Sequence, residues 1–112
     1  MTQNTRREAR ILTEGAATAT ILGPLVIHTV EGLWSKRNAL VNFEGETVDV
    51  SGVTDADSAG LAFIAEIFRL RTAANKKTEF INLPQTLLNI AEACGILSSL
   101  PIVNSKTEEK TD

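Results

Sequence analysis

Residues 48–64 read VDVSGVTDADSAGLAFI, and the hydrophobic period changes within them. Thr47-Val48-Asp49-Val50 alternates polar and apolar side chains, as a short strand with one covered face does. Ser51-Gly52-Val53-Thr54-Asp55 then leads out of that strand through residues that favour turns. Beyond Asp57 the apolar positions fall at helical spacing. Leu61, Ile64, Ala65 and Phe68 share one face, and Ala62, Phe63, Ile67 and Leu70 widen the stripe to more than half the circumference, which predicts a mostly buried helix.

The alternation of strand and helix extends in both directions. Upstream, residues 9–13 (ARILT) and 17–22 (ATATIL) are short and rich in Thr and Ile, with Glu14-Gly15 between them as a turn signal, so an antiparallel hairpin is expected. From Thr29, a suitable N-cap, Val30, Leu33, Trp34, Arg37 and Val41 keep helical spacing, and Glu44-Gly45 lies beyond the end of this one helix. Downstream, residues 77–83 return to strand character, and Pro84 opens a last helix. That helix carries Leu87, Leu88, Ala91 and Cys94 on one side and stops at Gly95. The order strand, strand, helix, strand, helix, strand, helix defines an α/β domain, a mixed β-sheet with helices packed on it and parallel strands joined by crossovers. Residues 97–103 supply either a final strand or a short closing helix.

Composition bounds what such a domain does. The 112 residues suffice for one core, placed at 9–103; residues 1–8 and 104–112 are polar and read as flexible ends. With 11 Lys+Arg against 14 Asp+Glu, the net charge of -3 lacks the positive field on which binding to nucleic acid or anionic lipid relies. No apolar run approaches the roughly 18 residues needed to span a bilayer, nor does a signal-peptide core follow Arg10, so a cytoplasmic protein without membrane insertion is expected. One Cys and one His leave too few soft ligands for a structural zinc site, and the carboxylates show no metal-binding spacing. There is no glycine-rich phosphate loop and no set of acid, base and nucleophile, so neither a cofactor nor an enzymatic activity is implied.

Individual residues carry competing readings. Ser58 and Asp57 stand at the start of the buried helix, where either serves as N-cap and where the Ser58 hydroxyl meets the positive end of the helix. Gly60 in a first turn costs about 1 kcal/mol relative to Ala, so close approach of the helix to the sheet or to a partner is expected there. Asp55 and Asp57 give the turn a negative charge suited to a basic partner, and equally serve as turn formers. His28 is expected at the surface near a helix start. Trp34 and Cys94 are expected in the core, Cys94 as a small buried hydrophobe. Arg69, Arg71, Lys76 and Lys77 read as a solvated helix end complementing the macrodipole.

The motif Asp57-Ser58-Ala59-Gly60-Leu61 at the exit of a strand resembles the STAS domain signature, D-S/T-x-G-L. ILGPLVIHTVEGLW is similar to that family's second strand and first helix, and KKTEFINLPQTLLNIAEACGI to its last strand and helix, so the likeness covers about residues 11–100. Membership implies a non-enzymatic regulatory module whose partner-binding edge comprises Thr54, Asp55, Asp57, Ser58, Ala59, Gly60 and Leu61. The FINLPQTLLNIAEACGI segment is more similar to the MlaB-like group, the cytosolic STAS subunits of phospholipid-transport ABC systems, which implies docking on the transporter's ATPase subunit. The alternative group is the anti-sigma factor antagonists, whose Ser in the same motif is phosphorylated by a partner serine kinase; Ser58 is then the phosphoacceptor. Antagonists usually carry an Asp after the Gly-x-Leu of the second strand, where this chain has Val26 after Gly23-Pro24-Leu25.

Overall fold

Apolar residues two apart in Thr18–Leu25 (β2) and Thr47–Ala56 (β3) build the middle of the sheet: Ala19, Ile21, Val48 and Val50 are fully buried, while the residues between them are only half-buried. That alternation is what a sheet covered by helices on one face produces. The computed structural model describes residues 8–13 and 17–103. Its five strands lie in the order β1-β2-β3-β4-β5, with β1 at Arg10–Leu12, β4 at Glu79–Ile81 and β5 at Ile102–Val103. β1 and β2 pair antiparallel, Arg10 opposite Leu22 and Leu12 opposite Thr20, and every other pair is parallel. The expected hairpin and mixed sheet are therefore present. The Glu14-Gly15 turn and residues 1–7 and 104–112 of the expected flexible ends lie outside the described residues.

The helices are α1 (Ile27–Trp34), α2 (Asn38–Asn42), α3 (Ser58–Ala73) and α4 (Gln85–Ala93). α3 is the middle of the helical layer and touches α1, α2 and α4. Its Leu61, Phe63, Ile64 and Ile67 are buried in one core with Ile21, Leu25, Leu33, Leu40, Phe80 and Leu87. Ala62, expected in the apolar stripe, is exposed instead. Residues 97–103 supply both elements between which the sequence did not choose, a 3₁₀ turn at Leu97–Ser99 and then β5.

Five expectations are corrected. The helix expected from Thr29 as a continuous element is two helices. The Ser35 hydroxyl donates to the Gly32 carbonyl at 2.7 Å and the Arg37 guanidinium to that of Trp34 at 2.9 Å, taking acceptors that a continuing helix would use. Nor is Thr29 its N-cap. Val26 holds that position, and Thr29 lies one turn inside, where its Oγ1 accepts from Val26 N–H at 3.1 Å and donates to the Pro24 carbonyl at 2.7 Å.

β3 does not end at Val50 but continues to Ala56, because β2 follows it with register shifts at Thr20/Leu22 and Gly23/Pro24. The shifts move the next inward side chain from the period-two position to Val53, which hides the strand from a search for alternation.

Cys94 is exposed, not buried. α4 stops at Ala93, where Gly95 takes φ +77°, its N–H donates to the Glu92 carbonyl and Ile96 N–H to that of Ala91, both at 3.0 Å. Cys94 is the cap residue of that motif and has left the inward face held by Leu87 and Ala91.

Arg71 is not a solvated residue. It is fully buried, with Nε donating to Thr78 Oγ1 at 2.8 Å, Nη1 to the carbonyls of Leu40 at 2.8 Å and Phe43 at 3.3 Å, and Nη2 to those of Gly45 at 2.6 Å and Lys77 at 3.0 Å. Burial pulls its pKa down while Glu46 opposes the shift, and a guanidinium stays protonated regardless. Arg69 does remain at the surface, paired with Glu66 one turn back.

Candidate functional site

β3 carries Thr54 and Asp55 to the end of the sheet, and the chain turns directly into α3. Asp57 performs that turn in extended backbone, φ −137° and ψ −171°, which frees its side chain to fold back over the helix start. Oδ1 accepts from Ala59 N–H at 2.9 Å and Gly60 N–H at 3.1 Å, satisfying two of the donors that a helix leaves open. Oδ2 accepts from Ile27 N–H at 3.0 Å, the first residue of α1. One carboxylate thus caps two helices whose N-termini converge. Val26, at the N-cap of α1, has no side-chain acceptor to offer, so Asp57 supplies that function across 30 residues of sequence.

Of the two N-cap readings, the structure selects Asp57. Burial works against its ionisation and is the largest single influence, yet the N–H groups of Ile27, Gly60 and Ala59, with the charge of His28, outweigh it and hold the carboxyl below its usual range. A depressed folded-state pKa contributes stability that is fully present above the unfolded value and is lost as pH falls through the folded one. Asp57→Asn is therefore expected to flatten the acid limb of the stability curve below about pH 4. Asp57→Ala, which uncaps both helices, is expected to cost about 1 to 3 kcal/mol at pH 7. Urea unfolding across pH 2.5 to 7 checks both; an acid limb unchanged in Asp57→Asn would remove the carboxylate from this role.

Ser58 is the first residue of α3 and is exposed; among the described residues its hydroxyl has no hydrogen-bond partner. It sits at the positive end of α3, open to solvent. Thr54 and Asp55 are exposed beside it, while Asp57 and Ala59 are half-buried. Gly60 and Leu61 are buried and lie beneath this edge. A Cβ at Gly60 would stand 2.9 Å from the Leu25 carbonyl carbon and closer still to its oxygen, so the glycine permits the approach of α3 to β2. His28 is exposed in the first turn of α1, as expected. Trp34, expected in the core, is half-buried; it meets the Phe63 ring edge-on at a centroid distance of 6.3 Å, and Arg37 lies over it at 4.4 Å.

Two features were not read from sequence. One is the convergence of α1 on α3 at Asp57, for which sequence holds no signal. The other is an open groove of about 450 Å³ between α1 and α3, beginning at Ile27 and Ala59 beside the Asp57 cap. Ile27 is 63% exposed at its lip. Among the described residues no three His, Cys, Asp or Glu side chains group as a metal site would need, and no helix is long and apolar enough to cross a membrane.

No protein-family model matches the chain, and no curated protein matches it in sequence. Solved structures do match. The anti-sigma factor antagonist SpoIIAA in its unphosphorylated form is similar with a TM-score of 0.65 at 20% identity, over 93% of each chain. The Bacillus cell fate determinant SpoIIAA in its phosphorylated form is similar with a TM-score of 0.62 at 17% identity, over 93% of this chain and 99% of that one. The murine anion transporter Slc26a9 in its inward-facing state matches with a TM-score of 0.60 at 17% identity, over 76% of this chain but only 15% of the transporter. The five-stranded mixed sheet and its helical layer thus belong to the fold of SpoIIAA, the STAS fold.

Proposed function

We propose that this chain is a non-enzymatic regulatory module that binds a protein partner through the edge formed by Thr54, Asp55, Asp57, Ser58 and Ala59, with Gly60 and Leu61 as the packed base beneath them. The observation that carries this reading is the state of Ser58: an exposed hydroxyl, unbonded among the described residues, on the first turn of a helix capped by Asp57 and packed on β2 through Gly60. Such a side chain contributes nothing visible to stability, while the rigid scaffold under it suits recognition.

Two partner classes follow, each favoured by a particular observation. The likeness of residues 80–96 to the MlaB-like group, with Val26 where antagonists usually carry an Asp, favours docking on the ATPase subunit of a phospholipid-transport ABC system at the cytoplasmic face of the membrane. The similarity to SpoIIAA, known in unphosphorylated and phosphorylated forms, favours an anti-sigma factor antagonist switched by a serine kinase at Ser58.

Ser58→Glu separates docking from folding. A carboxylate at the start of α3 agrees with the helix dipole, so circular dichroism and melting should match the parent. Crowded against Asp55 and Asp57, the same group should weaken partner binding by about 1 to 3 kcal/mol, and Ser58→Ala by less. Unchanged affinity of Ser58→Glu for the co-purifying partner would reject this edge. Co-elution with an ABC ATPase and an unmodified intact mass support the transporter reading; phosphate gained at Ser58 from a co-purifying serine kinase and ATP supports the antagonist reading.

A further inference from the structure

The groove between α1 and α3 is built from Ile27, Val30 and Trp34 on one wall and Ala59, Ala62 and Phe63 on the other. Its polar members are Glu31 of α1 and Glu66 of α3, one carboxylate on each wall, with Asp57 at the end it shares with the docking edge. Arg37 is laid flat over Trp34, and Arg69 is taken up by Glu66, a surface pair that a competing cation can share. Glu31 is exposed and forms no ion pair among the described residues.

We propose that this groove receives an amphipathic, basic helix of the partner, two or three of its apolar side chains seated against Ile27, Ala62 and Phe63 and its Lys or Arg side chains beside Glu31 and Glu66. The proposal rests on the reading of the chain as a docking module and names the chemistry of what docks. The eight residues of α1 extend about 12 Å, two turns of a helix, which matches anchors spaced i, i+3, i+4 and i+7.

Charge and composition argue against the other occupants. Residues 1–7 (MTQNTRR) and 104–112 (NSKTEEKTD) contain one apolar residue, Met1, between them, so neither offers an apolar face. A second copy related by a two-fold axis would bring no free cation to Glu31, since its own Arg37 is held over Trp34 and its Arg69 by Glu66. An anionic lipid surface meets the unpaired, exposed Glu31 carboxylate.

Trp34 is the chain's only tryptophan and lines the groove, so its fluorescence reports occupancy. The probes are three end-capped, Trp-free 14-residue peptides: Leu at i, i+3, i+4 and i+7 with Lys elsewhere, the same composition scrambled to abolish the apolar face, and the first pattern with Glu in place of Lys. In 150 mM salt the first is expected to bind at least tenfold more tightly than either control. Ala62→Arg, at an exposed position and with circular dichroism and melting matching the parent, should weaken it at least tenfold, and Glu92→Arg at an exposed position of α4 should not. Equal binding of the Glu peptide, or no effect of Ala62→Arg, overturns the proposal. So does a dimer in sedimentation that Ala62→Arg dissolves, since a second copy then fills the groove. If the co-purified partner is lost by Ser58→Glu but kept by Ala62→Arg, the docking edge stands and the groove proposal fails; if the Lys peptide binds as described and the partner ignores Ser58→Glu, the groove stands and the edge fails.

Discussion

Arg71→Met is expected to lower the unfolding free energy by about 3 to 5 kcal/mol, the largest effect of any single substitution considered for this chain. Among the described residues the guanidinium is not one half of an ion pair. Its five N–H groups are shared among the Thr78 hydroxyl and the carbonyls of Leu40, Phe43, Gly45 and Lys77, with a longer contact of 3.4 Å to Val41. The carbonyls of Leu40 and Val41 belong to the last turn of α2, which no intrahelical donor satisfies, so Arg71 acts as a C-cap delivered from α3. Its flat face rests 4.2 Å from the Phe43 ring centre. Methionine keeps the apolar stem and orphans all these acceptors at about 1 to 3 kcal/mol for each that water cannot reach. Lysine retains the charge but not the fork, and should recover less than half of the loss. Urea denaturation reads the effect as a shifted midpoint at constant slope. A loss under 1 kcal/mol in Arg71→Met would mean that the loop after α2 finds its hydrogen bonds elsewhere.

Gly60→Ala is expected to cost about 2 to 4 kcal/mol even though alanine is the better helix former by about 1 kcal/mol. The added methyl has backbone on its far side: the Leu25 carbonyl, whose oxygen also accepts from Asp57 N–H at 3.3 Å. Neither backbone can yield as a side chain end would, so α3 must lift from β2 and draw Asp57 away from Ile27. The melting temperature should fall by roughly 10 °C, and partner affinity should fall with it because the start of α1 moves relative to Ser58. An unchanged or raised melting temperature would show that the helix slides at no cost and that the glycine serves some other end.

The chain's own order of residues was enough for the fold class, the strand and helix order and the strand-to-helix turn at Asp57 and Ser58, because hydrophobic period and turn chemistry are local properties. Arg71 was legible in part. It lies seven residues after Ile64 and four after Ile67, on the stripe that faces the core, and its charge concealed what its phase disclosed. Cys94 failed in the opposite way: its phase pointed inward, but Gly95 ended the helix one residue too early for phase to apply.

β3 beyond Val50, the double cap at Asp57 and the groove along Trp34 were set only by tertiary structure, and the break between α1 and α2 by local side-chain hydrogen bonds that hydrophobic period does not register. Each depends on a partner distant in the chain or on a hydrogen bond that competes with regular structure: β2 with its register shifts, the Ser35 and Arg37 side chains, Ile27 N–H, and the facing wall of α3. Periodicity carries information about which side of an element is apolar. It carries none about which element arrives to cover that side, and at Ile27 and Ala62 no element of the described chain does.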